Sequence, residues 1–148
     1  MVAEITTGHA NTHRGRAPEL PGEVLSGQSV DLGALEGDPT AINFWASWCP
    51  PCQREAPAIE RLSTSLPRDT RLVGVDWNDT RSGAREFISR YGWTFTNLRD
   101  ASGSVGNAYG IQGLPTTVIV DSKGRIAKTL RGPQTAQSID AALRSADR

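Results

Sequence analysis

Residues 44–57 read FWASWCPPCQREAP and hold the only two cysteines of the chain, Cys49 and Cys52. Two thiols at this spacing can exchange electrons with a partner disulfide: one attacks, and the other resolves the mixed disulfide. The β-rich run AINFW (41–45) predicts a buried strand that leads almost directly into Cys49, and a helix is expected to start at about Pro51. Cys49 then stands where a strand's carboxyl end meets a helix's amino end. Unpaired N–H groups and the positive end of the helix dipole favour a thiolate there. Cys49 is therefore the expected exposed nucleophile, and Cys52, in the first helical turn, the resolving thiol.

Both residues between the thiols are prolines. Pro51 suits a first helical turn, where its missing N–H costs little. Pro50 precedes a proline and is held extended. Neither can donate to the Cys49 sulfur, which leaves the N–H of Cys52 as the nearest donor within the helix. A thiolate so sparsely stabilised implies a reducing rather than a strongly oxidising couple. The residues alone also admit an inert structural bridge or half of a zinc site. Zinc would need two further ligands, and the only histidines are His9 and His13, spaced i, i+4 near the N-terminus.

Elements that position the pair are legible by periodicity. Apolar residues at helical spacing mark 51–66 (Ile59, Leu62, Leu66), 81–91 (Ala84, Phe87, Ile88, Tyr91) and 135–146 (Ile139, Ala142, Leu143, Ala146). Strands are expected at 71–77, 94–98, 116–121 and 125–130, with DSKG (121–124) as a hairpin turn and 104–110 as a short helical turn. A small strand or hairpin and one helical turn are expected after Val24. LVGVD and TVIVD are apolar on both faces, as strands covered by helices on two sides must be. The result is a three-layer α/β/α sandwich around a mixed sheet. Residues 1–22 carry almost no apolar pattern and read as a flexible tail or linker, leaving 23–148 as the folded domain.

The chain has 148 residues, enough for one domain, with 16 basic and 16 acidic side chains. That balance and the absence of a basic run argue against nucleic acid or anionic lipid as partner. No apolar stretch approaches the ~20 residues of a membrane span, and the opening MVAEITTGHA lacks the pattern of a secretory signal. Having no cysteine beyond the pair fits an oxidising compartment, where a spare thiol would mispair.

FWASWCPPC, Pro57 and GLPTTVIVDSKGRI (113–126) together resemble the thioredoxin superfamily, most closely the TlpA/ResA/DsbE branch of membrane-anchored or secreted thiol–disulfide oxidoreductases. The resemblance spans about Val24 to the C-terminus. It implies a thioredoxin-like fold with Trp48 flanking the reactive sulfur and Pro50 and Pro51 beside it. Pro115 would be a cis-proline facing the disulfide, Thr116 the start of the strand behind it, and the Leu114 backbone the strand that pairs with an extended client. Glu55 would handle the proton of the buried thiol Cys52, although an acid in a first turn also complements the helix dipole. Where cytoplasmic thioredoxins carry a buried aspartate, this chain has Asn43, so no carboxylate proton relay starts from that strand. Trp45 is expected in the core. Trp77 and Trp93 are candidates for a substrate groove, with core or rim packing the simpler account. Asp76 and Asp79 are expected as strand-end and helix-cap acids.

The resemblance also sets the functional expectations. The chain is expected to be an extracytoplasmic reductant of client disulfides, apocytochrome c among them, fed by a membrane dithiol relay. It would act as a monomer, with the Cys49–Cys52 disulfide in place of any other cofactor or metal. The same fold run in reverse gives an oxidase of secreted proteins. A copper chaperone would want a histidine near the pair, and none follows His13. A peroxidase would want a single activated cysteine with a neighbouring threonine and arginine. A cytoplasmic location remains the alternative to an exported one.

Overall fold

The computed structural model describes residues 15–29 and 35–148. Six strands and four helices follow the order β1 (Glu23–Ser26), β2 (Thr40–Trp45), α1 (Pro50–Ser65), β3 (Arg71–Trp77), α2 (Arg81–Arg90), β4 (Asn97–Asp100), α3 (Ser104–Ala108), β5 (Thr116–Val120), β6 (Ile126–Arg131) and α4 (Ala136–Arg144). The strands form one mixed sheet in the order β1-β4-β3-β2-β5-β6. β2, β3 and β4 run parallel, while β1, β5 and β6 pair antiparallel to their neighbours. The two parallel steps, β2–α1–β3 and β3–α2–β4, progress in one direction across the sheet. A uniform crossover hand then places α1 and α2 on the same face.

Alternation along β2 sorts the core. Ala41 and Trp45 pack with Ile59, Leu62, Phe87, Ile139 and Leu143, which come from α1, α2 and α4. Ile42 and Phe44 point the other way and join Val73, Val75, Leu98, Val118 and Val120. Among the described residues that second face receives one helix, the five-residue α3. The rest of its cover comes from the segment expected as a flexible tail. Residues 15–22 lie against the fold: Ala17 N–H donates to Gly124 O, Ile126 N–H to Gly15 O, and Leu20 is buried. The Tyr109 hydroxyl donates to Pro18 O at 2.6 Å. Burial holds the Tyr109 phenol protonated by pushing its pKa up. The physical reason is that six buried valines and isoleucines of the second face need cover that α3 is too short to provide. The N-terminal boundary of the folded unit therefore moves from 23 to at least 15, and residues 1–14 lie outside the described residues.

One strand is displaced. TFTNL (94–98) was the expected β4, yet pairing begins at Asn97. Gly92, at φ +67°, ends α2 in a turn, and the next aromatic residues, Trp93 and Phe95, join the cluster around Trp45 and Phe87 instead of entering the sheet. Asn97 then closes that cluster, its Oδ1 accepting the Trp45 indole N–H at 2.8 Å. The helical turn expected after Val24 falls partly on 30–34, outside the described residues.

Candidate active site

Cys49 is the N-cap of α1, and its extended backbone ends the approach from β2. Cys49 and Cys52 are joined as a disulfide, with Cα atoms 5.2 Å apart. The Cys52 N–H donates to Cys49 Sγ at 3.2 Å, and Pro50 and Pro51 occupy the first two helical positions. The sequence expected an exposed Cys49. In the disulfide form it is only 4% exposed. Its access is lateral. Cys49 lines an open cleft of about 350 Å³ together with Pro50, Pro51 and Leu114, whereas Cys52 does not reach it.

The far wall of the cleft is Trp48, Trp77 and Ile111. Trp48 is 53% exposed, the one large apolar side chain so open among the described residues. Its indole N–H is spent on Asn78 O at 3.0 Å, and that of Trp77 on Gly103 O at 3.1 Å. The ring faces are thereby left to the cleft, with centroids 6.5 Å apart. Gly106 allows α3 to approach the Trp77 ring; a Cβ there would overlap the indole. Trp77 is thus a wall of the cleft, while Trp93 is buried and donates to Ala56 O, and Trp45 is fully buried.

The remaining expected site residues divide. The Leu114–Pro115 bond is cis, and Pro115 is buried. Thr116 begins β5 and does not line the cleft; its hydroxyl donates to Gly113 O at 2.7 Å. Glu55 lies beneath α1, 3% exposed. Its Oε1 accepts Asn43 Nδ2–H at 3.0 Å and its Oε2 the Gln134 N–H at 2.9 Å. Burial raises its pKa, and the two donors oppose that rise. Asn43 also donates to Thr117 Oγ1. The amide that stands in place of the thioredoxin aspartate therefore serves as a donor that opposes the burial-driven rise of the Glu55 pKa.

Asp76 stands at the end of β3, as expected, whereas Asp79 departs from its expected place. Thr80, not Asp79, caps α2, its hydroxyl accepting the Gly83 N–H at 3.1 Å. Asp79 faces the other way and accepts Ser47 N–H and Ser47 Oγ–H at 2.8 and 2.9 Å, because the segment before Cys49 has no strand partner for its own polar groups. Asp76, expected at a strand end, is fully buried opposite Trp45. Nothing in the local sequence separates it from an ordinary strand-end acid.

Among the described residues no cluster of three or more His, Cys, Asp or Glu could hold a metal ion, and His9 and His13 lie outside those residues. No helix among them is long and apolar enough to cross a membrane.

A family model described as Redoxin matches residues 14–143. The chain is 36% identical over 119 residues to the thiol-disulfide oxidoreductase ResA of Halalkalibacterium halodurans, covering 80% of this chain and 68% of that one. It is 36% identical over 124 residues to the thiol:disulfide interchange protein DsbE of Allochromatium vinosum, covering 82% and 67%. Among solved structures, MTB dsbF in mixed oxidised and reduced forms superposes with a TM-score of 0.79 at 30% identity, over 88% of this chain and 96% of that one. StoA of Bacillus subtilis superposes with a TM-score of 0.75 at 27% identity, over 84% and 96%. With a cysteine pair at disulfide distance on the same fold, the chain belongs to the redoxin family and is a thiol–disulfide oxidoreductase of the TlpA/ResA/DsbE-like branch of the thioredoxin superfamily.

Proposed function

We propose that the protein works outside the cytoplasmic membrane as a reductant of client disulfides, of the kind used in cytochrome c maturation. The Cys49 thiolate attacks one sulfur of the client disulfide and forms a mixed disulfide, and the other client sulfur leaves as a thiolate. Cys52 then gives up its proton and attacks Cys49 Sγ. The Cys49–Cys52 disulfide forms, the second client thiolate leaves, and two electrons have passed to the client. A membrane dithiol relay returns the pair to the reduced state, so the reaction needs no further cofactor.

The observation that carries the direction is the donor set of the Cys49 sulfur. Pro50 and Pro51 have no N–H, and within the helix turn only Cys52 N–H reaches Sγ. A thiolate with one such donor is a poorer leaving group than one with several, which favours donation of electrons. The lateral cleft supports Cys49 as nucleophile, since Cys49 alone of the pair borders it. Glu55, three residues after Cys52 on the same buried side of α1, takes the proton of Cys52. The Leu114 backbone receives an extended client segment, and the apolar walls receive its side chains. An apocytochrome c with a disulfide between its haem-attachment thiols fits that requirement, and the protein acts on it as a monomer.

The test is the reduction potential of the Cys49–Cys52 couple, measured against glutathione. A value near about −270 mV is expected, and one near about −120 mV would reverse the direction to oxidation of secreted clients. Cys49→Ser must abolish disulfide reduction by either measure.

A further inference from the structure

The segment that delivers Cys49 is held from one side by the turn that ends β3. Ser47 N–H and Oγ–H donate to Asp79, and the Trp48 indole N–H donates to Asn78 O. Asn78 has φ +54°, an uncommon backbone for a residue other than glycine, and its N–H is tied to Asp100 O at 2.9 Å. Thr80 N–H adds a further donor to Asp79 at 2.8 Å.

Directly behind this turn stands Asp76, fully buried, and neither of its oxygens receives an N–H or O–H donor from the protein. The Asp79 carboxyl, three residues on, is the group that bears on it most after burial itself, and a hydrogen bond between two carboxyls requires a proton between them. The other charged groups facing Asp76 come from β4. Arg99 directs its guanidinium to Glu23 Oε1 and Asp79 O, at 3.2 and 3.1 Å, and its Nε is buried without a partner. The Asp100 carboxylate is taken by Val105 N–H and Gly106 N–H. No cation is thus bonded to Asp76, and two ionised carboxylates in contact in a buried site are strongly disfavoured.

We propose that Asp76 and Asp79 form a hydrogen-bonded acid pair sharing one proton, in which the Asp76 carboxyl donates to Asp79 and so locks Ser47 and the approach to Cys49. Asp76 is a positioning residue for thiol exchange, a role that rests on Cys49 being the nucleophile. Burial first, then the Asp79 hydrogen bond and charge, push Asp76 up to about 9, against the pull of Arg99. Burial also acts against ionisation of Asp79, but the bonds from Asp76, Ser47 and Thr80 hold its carboxyl below the ordinary value. Loss of the shared proton in alkaline solution sets two like charges together. Asp79 then releases Ser47.

The experiment follows the reduced full chain reacting with a small disulfide from pH 6 to 10. Each rate is divided by the thiolate fraction, read from ultraviolet absorbance. The wild type should hold a constant rate per thiolate to about pH 8 and fall several-fold as Asp76 ionises near pH 9. Asp76→Asn keeps an N–H for Asp79 but does not titrate. It should retain the neutral rate within about twofold and lose the alkaline fall. Asp76→Leu should be slower than the wild type by about three- to tenfold below pH 8, as the loss of one buried hydrogen bond implies, and should show no alkaline fall. Carbon-13 spectra of the wild-type carboxyls provide a readout independent of variant folding, with one aspartate titrating near pH 9 and absent in Asp76→Asn. The proposal is overturned if that resonance titrates at the ordinary carboxylate value, or if Asp76→Asn keeps the alkaline fall. A potential that made the protein an oxidant would overturn the direction of electron flow and leave these results unchanged. Activity surviving in Cys49→Ser would remove the kinetic role while the carboxyl resonance still reported the pair.

Discussion

Glu55 and Asp76 are both buried acids placed around the same redox centre, one beneath α1 and the other behind the turn that follows β3. Glu55 has a donor for each oxygen, from Asn43 and from the Gln134 backbone. Asp76 has none, and after burial the group that bears on it most is another acid, Asp79. Burial pushes both upward, yet only in Asp76 is it unopposed by N–H donors. The difference shows that burial alone does not set the protonation of an acid. The number of hydrogens aimed at it does, which makes Glu55 fit to receive a proton and Asp76 fit to keep one.

The largest expected effect is on stability against pH. Both acids have folded pKa values above their unfolded ones, so the folded state holds extra protons, for Asp76 between pH ~4 and ~9. The stability they contribute is complete below pH ~4 and is lost as pH rises through the folded values. Asp76 alone implies a loss approaching about 1.4 kcal/mol per pH unit across that window. Urea unfolding of the oxidised protein at pH 5 and pH 8 should show a loss on the order of 4 kcal/mol. Asp76→Asn should remove most of this slope and Glu55→Gln a smaller part. The reverse ranking would break the comparison.

A second test converts one acid towards the other. Asn43→Leu deletes the donor to Glu55 Oε1, so the Glu55 pKa should rise further, seen as an upward move of its carbon-13 titration. Its proton-accepting role should weaken with it. Glu55→Gln should slow the step in which Cys52 attacks by roughly tenfold or more and flatten its pH profile, measured by single-turnover release of a client thiol. An unchanged profile would leave Glu55 as a dipole-complementing acid only.

The smallest effect applies the same donor rule to sulfur. Pro51→Ala restores an N–H in the first turn of α1. The Cys49 pKa should fall by about one unit and the couple should become slightly more oxidising, read by ultraviolet titration and glutathione equilibration. No change would mean that the dipole, not the donor count, controls the thiolate.

Much of this was legible in the chain itself. AINFW running into CPPC placed a strand before Cys49 and a helix after it, because continuous β-branched and aromatic residues demand a buried strand and proline demands a helix's first turn. Helical spacing located α1, α2 and α4 to within two residues. Gly124, at φ +79°, closes the turn expected at DSKG. The displacement of β4 was not legible, since TFTNL has good strand composition and only the Trp45–Phe87 cluster draws Trp93 and Phe95 away. Nor was the docking of residues 15–22, whose polar sequence gives no sign that Leu20 would cover the second face.

Local sequence, then, determined which atoms can exchange electrons and where they sit on a strand–helix junction, because helix starts, strand runs and thiol spacing are properties of neighbours along the chain. The charge state of the acids around that junction was decided only by tertiary structure. Asn43 and Gln134 meet Glu55 from β2 and from the turn before α4, and Asp76 is buried within the sheet opposite Trp45 of β2. Burial and donor count are set by residues distant in sequence, and no stretch of the chain read alone contains them.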